Sequence, residues 1–169
     1  MDESYAIILC GGRGSRLGAL TEKIPKSLVQ IHGKPLLWYT VLNLHKHGFK
    51  KFIFPIGYKG NMIRESMSDE FQKYDFHMHF IDTGCDTPIA KRLGKVINFI
   101  PKGANIFLVN GDTFFEFDIH EMYQLHKRTE SLITISSSEW FSSFGLIIHK
   151  DGILSDFAHQ SHISHFSLS

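Results

Sequence analysis

The sequence predicts an α/β protein with an open, mixed but mainly parallel sheet and helices on both faces. Short runs of β-branched and aromatic residues alternate with longer segments of helical periodicity. Their spacing is that of strand–helix–strand units, which build parallel sheets. Unusual turns, GGRGSR and NGD, directly follow two of these runs. Because ligands of such sheets bind beyond the carboxyl ends of the strands, the turns mark the expected site.

Length and charge limit the range of functions. The chain has 169 residues, with 18 Lys and Arg against 17 Asp and Glu, and a formal net charge of +1. A chain of this length suits one domain, which is predicted over residues 1–157. A polar tail is predicted at residues 158–169, and its lack of a core pattern is typical of a disordered terminus. Near-neutral charge gives no indication of a nucleic acid or membrane partner. An acidic start without a leader pattern and only two cysteines predict a reduced, cytoplasmic protein.

The first half of the chain begins with a buried strand at Tyr5–Cys10, which ends at a glycine pair. A long loop is predicted to about Lys34, and Pro35 suits the first turn of a helix that ends at Gly48. The next elements are a strand at Lys51–Ile56, a helix from Asn61 to about Tyr74 and a more exposed strand at Phe76–Ile81. Pro55 cannot donate a ladder hydrogen bond, so it predicts that its strand ends there or lies at an edge.

The second half continues the alternation. A helix is predicted from about Pro88 to Ile100, and another at Asp118–Lys127 with Asp118 as its N-cap. Between them, a buried strand at Asn105–Val109 ends at the Asn-Gly-Asp sequence of residues 110–112. Two further strands are predicted at Leu132–Ser136 and Phe144–His149. A Lys-Asp-Gly turn follows at residues 150–152.

The segment LCGGRGSRL, residues 9–17, concentrates glycine and arginine directly after the first strand. Glycine lets backbone N–H groups approach a ligand closely, and arginine pairs with phosphate oxygens. Three interpretations compete: a dinucleotide-binding turn, a triphosphate-binding loop with its own cations, and a solvated basic loop. Leu17 stands where the dinucleotide fingerprint needs its third glycine, and the Walker sequence is absent. In the basic segment, Gly11 to Pro35, five Lys and Arg residues stand against one acid, Glu22, and this concentration of charge favours the triphosphate loop over the solvated basic loop.

Three separate pieces resemble the signature of the sugar-phosphate nucleotidyltransferases: LCGGRGSRL, Pro25-Lys26, and the Gly-Lys-Pro sequence of residues 33–35. The Asn-Gly-Asp sequence resembles the metal-binding aspartate that this family carries at the end of a central strand. The resemblance covers residues 5–157 and implies the Rossmann-like fold of the nucleotide-diphospho-sugar transferase type. It implies an enzyme of nucleotide-sugar and polysaccharide biosynthesis. Such an enzyme joins a nucleoside triphosphate to a sugar 1-phosphate, or another small phosphate monoester, and releases pyrophosphate.

The resemblance also implies roles for individual residues. Arg16 would hold the β- and γ-phosphates, and Lys26 would bridge the α-phosphate and the incoming phosphate, so these two are the predicted catalytic residues. Asp112 would bind Mg²⁺, the implied cofactor. The remaining predicted nucleotide-binding residues are Leu9, Gly11, Gly12, Gly14, Ser15, Thr87, Arg92 and Gly111. No nucleophile is predicted, because the transfer needs no covalent intermediate. Lys34 is interpreted as structural or as a secondary phosphate contact.

The segment DTGCDTPIAKRLGKV, residues 82–96, bears on the choice of nucleotide. It resembles the glucose-1-phosphate cytidylyltransferase branch, in which residues matching Thr87 and Arg92 contact CTP. In contrast, NGDTFFEFDIHEM, residues 110–122, is more similar to heptose-1-phosphate guanylyltransferases. CTP is favoured over GTP, and a guanylyltransferase of the heptose- or mannose-1-phosphate type is the alternative. Ala90 and Lys91 stand where the cytidylyl branch carries glycines, which restricts close backbone approach to a ligand.

The later elements of the family, which supply sugar contacts and a second metal-binding aspartate, have no counterpart after Phe157. Asp156 comes too early to replace that aspartate. His159, His162 and His165 suit an exposed terminus better than a zinc or nickel site. Three hypotheses stay open: an active enzyme on a short scaffold, a nucleotide-binding module that turns over poorly, and a dinucleotide-dependent oxidoreductase. The sequence leaves open the acceptor and the assembly, a homo-oligomer included.

Overall fold

The computed structural model describes residues 4–14, 18–138, 140–141, 146–158 and 162–163. The chain forms two compact units, residues 1–117 and 118–169. The first unit contains the strands β1 (Tyr5–Leu9), β2 (Gln30–Ile31), β3 (Lys34–Pro35), β4 (Lys51–Ile56), β5 (His77–Asp82) and β6 (Ile106–Asn110). Its helices are α1 (Ala19–Lys23), α2 (Leu36–Lys46), α3 (Gly60–Glu70) and α4 (Ile89–Val96). The domain boundary after residue 157 stays a prediction.

Four parallel strands form the central sheet in the order β5–β4–β1–β6. Ile7 of β1 lies opposite Ile53 of β4 on one side and Leu108 of β6 on the other. Because all four strands point the same way, their carboxyl ends meet at one edge of the sheet. The mainly parallel sheet is confirmed, and so is the more exposed β5, which is an edge strand.

Apolar periodicity explains the core of the first unit. Leu37, Val41 and Leu44 recur at helical spacing in α2 and are completely buried. Strand β4 is buried on both faces, as its continuous apolar run predicts for an interior parallel strand. From α4, Val96 packs against Ile7 and Ile53, which fixes this helix on one face of the sheet.

Two predictions for the first unit are wrong in detail. The long loop to Lys34 contains α1, a 3-10 turn at Lys26–Leu28 and the β2–β3 hairpin. The positive φ angles of His32 and Gly33 form the tight turn of that hairpin. Of the two alternatives predicted for Pro55, the edge position is wrong, since β4 lies between β5 and β1, whereas the strand end is correct, since β4 ends at the next residue, Ile56. The proline is tolerated because the pairing between β4 and β1 extends only to Ile53.

The helix after β4 ends at Glu70, earlier than predicted, and the helix after β5 changes at Ile97 into a 3-10 turn. The strand predicted at Leu132–Ser136 is wrong: the described residues 131–138 contain no strand, and Leu132, Ile133 and Ile135 are exposed. β-branched residues favour a strand only where a neighbouring ladder accepts their backbone groups.

The second unit contains α5 (Ile119–Arg128), β7 (Trp140–Phe141), β8 (Leu146–Lys150), β9 (Ile153–Ala158) and β10 (His162–Ile163). Asp118 is the N-cap of α5, as predicted, and accepts hydrogen bonds from the backbone N–H groups of His120 and Glu121. The turn predicted at residues 150–152 is confirmed, and it joins β8 to β9, a strand that was not predicted, in an antiparallel hairpin. Residues 159 and 165, two of the three predicted histidines, lie outside the described residues.

A bilayer-spanning helix would need a long apolar stretch, and none of the helices in the described ranges meets that requirement.

Candidate functional site

A cavity of about 490 Å³ lies at the carboxyl ends of β1, β5 and β6. This is the edge at which open parallel sheets bind ligands. The cavity wall brings together the loop after β1, the 3-10 turn, the loop after β5 and the Asn-Gly-Asp sequence after β6. Nine of the predicted site residues line it: Leu9, Gly11, Gly12, Gly14, Lys26, Thr87, Arg92, Gly111 and Asp112. The predicted Ser15 and Arg16 lie outside the described residues.

Two glycines of the loop after β1 have different surroundings: Gly14 packs against protein, and Gly12 faces open space. A Cβ on Gly14, whose φ is 66°, would stand 2.8 Å from the Cβ of Lys26. Glycine at this position therefore lets the loop pack directly against the 3-10 turn that carries the lysine. At Gly12 an added Cβ would meet no protein atom within 4 Å. The space beside Gly12 is thus open to a ligand that approaches the backbone.

Lys26 and Asp112 form an ion pair at the cavity wall. Both side chains are about one-third exposed, at 35% and 27%. The 3-10 turn presents Lys26 through a hydrogen bond from the Leu28 N–H to the Pro25 carbonyl, at 2.9 Å. A turn from Asn110 to Thr113 presents Asp112 directly after β6. The residues predicted to contact phosphate and metal therefore face each other at one place.

A second ion pair connects the loop after β1 to the loop after β5. Arg13 donates from Nε and Nη2 to the two carboxylate oxygens of Asp86, at 3.0 and 3.2 Å. This hydrogen bond lowers the pKa of Asp86 from its ordinary value and raises the pKa of Arg13. Asp86 lines the cavity and was missed by the sequence analysis. Its charge, complementary to that of the basic loop, was the signal available in the sequence.

Lys34, the other lysine of the basic segment considered in the sequence analysis, pairs with a carboxylate away from the cavity. Lys34 forms an ion pair with Glu70 of α3, at 2.6 Å, and is not among the residues that line the cavity. The cations concentrated in the sequence are thus separated in the structure. Of the described Arg13, Lys26 and Lys34, Lys26 is the one that lines the cavity.

The loop after β5 is held by its own side chains. Thr87 donates its hydroxyl to the Thr83 carbonyl at 2.6 Å, and Gly84 donates its N–H to Asp82 at 2.9 Å. Arg92 is only 5% exposed, and its guanidinium donates to backbone carbonyls and to the Thr83 hydroxyl. Direct contacts of Thr87 and Arg92 with CTP stay predictions.

Comparison with known proteins identifies the family of the chain. A family model described as "Nucleotidyl transferase" matches residues 5–166. The chain belongs to the nucleotidyl transferase family. The predicted family, the sugar-phosphate nucleotidyltransferases, is thereby confirmed.

The relatives of this nucleotidyl transferase include proteins named as cytidylyltransferases and proteins named as guanylyltransferases. A probable glucose-1-phosphate cytidylyltransferase of Bacillus subtilis is 29% identical, and the match covers 92% of this chain and 68% of that protein. The D-glycero-alpha-D-manno-heptose 1-phosphate guanylyltransferase of Campylobacter jejuni is 32% identical, over 84% of this chain and 62% of that protein. The chain thus spans about two thirds of the length of these relatives.

Solved structures confirm the fold of this nucleotidyl transferase. The crystal structure of HddC from Yersinia pseudotuberculosis complexed with GMP-PN superimposes with a TM-score of 0.67 at 24% identity, over 93% of this chain and 69% of that one. UDP-glucose pyrophosphorylase complexed with UDP-glucose superimposes with a TM-score of 0.62 at 12% identity, over 95% and 70%. The predicted α/β fold of the nucleotide-diphospho-sugar transferase type is therefore correct.

The two cysteines of this nucleotidyl transferase line the cavity in different environments. Cys10 is buried, and burial raises the pKa of its thiol to about 12, although the charge of Arg92 acts in the opposite direction. Cys85 is partly exposed. Since the thiolate is the reactive form, Cys10 is unreactive near neutral pH.

We expect iodoacetamide at pH 8 to alkylate Cys85 and to leave Cys10 unmodified, giving one adduct per chain by mass spectrometry. A nucleoside triphosphate bound in the cavity should slow this reaction, because it would cover Cys85. The Cys85→Ser variant is the control and should gain no adduct while folded. Equal labelling rates with and without nucleotide would contradict the placement of the nucleotide in this cavity.

Proposed function

We propose that this chain transfers a nucleotidyl group from a nucleoside triphosphate, with CTP favoured, to a sugar 1-phosphate or another small phosphate monoester. The observation that supports this most is the meeting of a glycine-lined cavity with Lys26 and Asp112 at the carboxyl edge of the sheet. An acceptor phosphate oxygen would bond to the α-phosphorus while the bond to the α–β bridging oxygen breaks. Pyrophosphate is the leaving group, and no enzyme intermediate forms.

The residues of the chain supply charge and orientation. Backbone N–H groups of Gly11 and Gly12, which line the cavity, would hold phosphate oxygens, and the space beside Gly12 is open because an added Cβ there would meet no protein atom within 4 Å. Lys26 would stabilise the negative charge that increases as the acceptor phosphate approaches the α-phosphate. Arg16 would hold the β- and γ-phosphates of the leaving group. Holding both phosphates in line provides the orientation that the transfer needs.

The side chains around Asp112 fit a Mg²⁺ ion that arrives bound to the phosphates of a nucleotide. Within the described residues no group of three or more His, Cys, Asp or Glu side chains could hold a metal ion. A single carboxylate is sufficient for Mg²⁺ that arrives on the phosphates of a nucleotide, since this ion keeps several waters. Asp112 would hold that ion in place of its present partner Lys26. When bound, Mg²⁺ neutralises phosphate charge.

We expect Asp112→Asn to weaken the response to Mg²⁺. The amide keeps the size of the side chain but loses the negative charge that attracts the cation. The Mg²⁺ concentration for half-maximal pyrophosphate release should rise by about tenfold or more, as lost ligand support commonly does. Asp75→Asn is the matched control, because Asp75 is also paired with a lysine, Lys50 at 3.6 Å, but on an exposed surface. An unchanged Mg²⁺ titration of Asp112→Asn would argue against a ligand role.

The preference for CTP rests on residues 82–96, and GTP transfer is the second candidate. The cytidylyl and guanylyl relatives are similar to this chain at 29% and 32% identity, so identity favours neither. The deciding experiment supplies each of the common nucleoside triphosphates with Mg²⁺ and measures pyrophosphate release over a panel of sugar 1-phosphates. We expect CTP to give the fastest release, and faster release with GTP would assign the guanylyl activity instead.

Calorimetry on the same protein separates turnover from binding. Binding of a triphosphate without pyrophosphate release for any acceptor would favour the nucleotide-binding module over the enzyme. No heat with any triphosphate and Mg²⁺ at millimolar concentration, on folded protein, would overturn the proposed function. The third hypothesis, a dinucleotide-dependent oxidoreductase, has no support from the family to which the chain belongs.

A further inference from the structure

The guanidinium of Arg92, a residue of α4, is buried at the cavity wall without a carboxylate partner. Arg92 is 5% exposed, and no carboxylate among the described residues forms an ion pair with its guanidinium. A buried charge is costly unless hydrogen bonds satisfy it. Neutral oxygen atoms accept the hydrogen bonds of Arg92, and the Asp86 carboxylate at the same wall interacts with its charge without forming an ion pair. The positive charge of Arg92 therefore still contributes to the attraction of an anion in the cavity.

These oxygen atoms belong to two loops that follow different strands. Nη2 of Arg92 donates to the Gly11 carbonyl after β1, at 3.1 Å, and to the Cys85 carbonyl after β5, at 2.7 Å. Nη1 donates to the Thr83 hydroxyl at 2.5 Å, and that hydroxyl donates to the Ile56 carbonyl of β4 at 2.8 Å. One side chain therefore connects the carboxyl ends of three adjacent strands.

Two glycines provide the space that this connection needs. A Cβ on Gly11 would lie less than 3.0 Å from Nη1 of Arg92 and from the Pro55 carbonyl. A Cβ on Gly57 would lie less than 3.0 Å from the same nitrogen atom. The loop after β1 is thus packed onto the guanidinium itself, and its position depends on the position of Arg92.

We propose that Arg92 is a positioning residue for nucleotide binding rather than a reader of the base. Its hydrogen bonds to the Gly11 and Cys85 carbonyls hold the loops after β1 and β5. The N–H groups of the loop after β1, which we call the glycine loop, then face the triphosphate. Its positive charge lies at the same wall and attracts the phosphates. This proposal rests on the proposed function, because it requires a triphosphate in the cavity.

The test compares three substitutions. Arg92→Met keeps the stem but removes the charge and the donors. Arg92→Lys keeps the charge but has one nitrogen atom, which cannot reach three acceptors. Lys95→Met is the matched control, because Lys95 also lies on α4 and donates to the loop after β5 at 2.9 Å, through Thr83 alone.

Calorimetry with two probes, CTP and inorganic tripolyphosphate, both with Mg²⁺, gives the main result. We expect Arg92→Met and Arg92→Lys to lose about tenfold or more in affinity for both probes, the loss that goes with a missing charge-assisted hydrogen bond. Lys95→Met should lose less than either. A loss for CTP with unchanged tripolyphosphate binding would identify Arg92 as a base contact and overturn the positioning role. Wild-type affinity of Arg92→Met for both probes would overturn it too, as would an equal loss in Lys95→Met.

A second measurement separates this proposal from the proposed function. The Tyr58 N–H donates to the Gly11 carbonyl at 3.0 Å, so its hydrogen exchange reports the attachment of the glycine loop. We expect Arg92→Lys to accelerate this exchange at least tenfold, whereas the protein remains folded. Unchanged exchange at Tyr58 would overturn the positioning role even if wild-type protein binds no triphosphate. The absence of wild-type triphosphate binding would overturn the proposed function and, with it, the nucleotide part of this proposal, whereas exchange at Tyr58 would still show whether Arg92 holds the loop after β1.

Discussion

Lys26→Ala is expected to keep the wild-type fold and to lose turnover by about a hundred- to a thousandfold, the loss typical of removing one group that stabilises transition-state charge. Lys26 is the described lysine that lines the cavity, and it lies beside Asp112 at the point where two phosphates would meet. Alanine keeps the Cβ that packs against the glycine loop. The substitution therefore removes the charge without opening the loop contact.

Stability should change little in this variant. The Lys26–Asp112 pair is partly exposed, and pairs of this kind contribute roughly 0–1 kcal/mol to the free energy of unfolding. Asp112 stays in contact with solvent after Lys26 is removed, so no buried charge is left without a partner. Steady-state pyrophosphate release, with urea unfolding in parallel, checks both statements.

Lys50→Ala is the control for Lys26, because Lys50 forms a similar lysine–aspartate pair with Asp75 on the surface. It should lose neither turnover nor stability to a measurable degree. Turnover of Lys26→Ala at the wild-type rate would remove Lys26 from the mechanism. A large loss of stability in Lys26→Ala would show instead that the ion pair supports the fold.

The parts of the fold that the sequence predicts well are those decided by burial. Strand β4 matches its prediction at both ends, and the core face of α2 follows from the spacing of Leu37, Val41 and Leu44. Short elements and ends were less predictable. The β2–β3 hairpin depends on a two-residue turn, and Leu132–Ser136 has strand composition without a ladder. Whether each segment forms a strand depends on which backbone groups form hydrogen bonds with it, and residue type alone predicts this poorly.

The site was predictable where residues adjoin a strand end. Gly11 and Asp112 come two residues after the ends of β1 and β6, so a parallel sheet must bring them to one edge. Contacts between distant loops were not predictable. Asp86 pairs with Arg13 across 73 residues of sequence, and Arg92 reaches Gly11 across 81. Such pairs depend on the packing of α4 against the sheet, about which a single sequence gives no information.

Gly57 shows the same limitation, because its importance comes from a close approach of three loops. It follows β4 within the GYKG sequence. A Cβ at this position would lie less than 3.0 Å from the carbonyl oxygens of Gly84 and Gly11 and from the Arg92 guanidinium. Two of these neighbours are backbone atoms, which cannot rotate away as a flexible side chain can. Gly57→Ala must therefore move the loops after β1 and β5 apart.

We expect Gly57→Ala to lower the free energy of unfolding by about 1–3 kcal/mol, the usual cost of overpacking, and to abolish measurable triphosphate binding. Gly94→Ala is the matched control. Gly94 lies within α4, and an added Cβ there meets no atom within 4 Å, so alanine should raise the free energy of unfolding by about 0.5–1 kcal/mol. Urea unfolding and calorimetry with CTP and Mg²⁺ measure the two effects. If Gly57→Ala unfolded and bound nucleotide like Gly94→Ala, the three loops would not be packed as closely as the structure shows, and the cavity geometry on which the proposed function depends would be wrong.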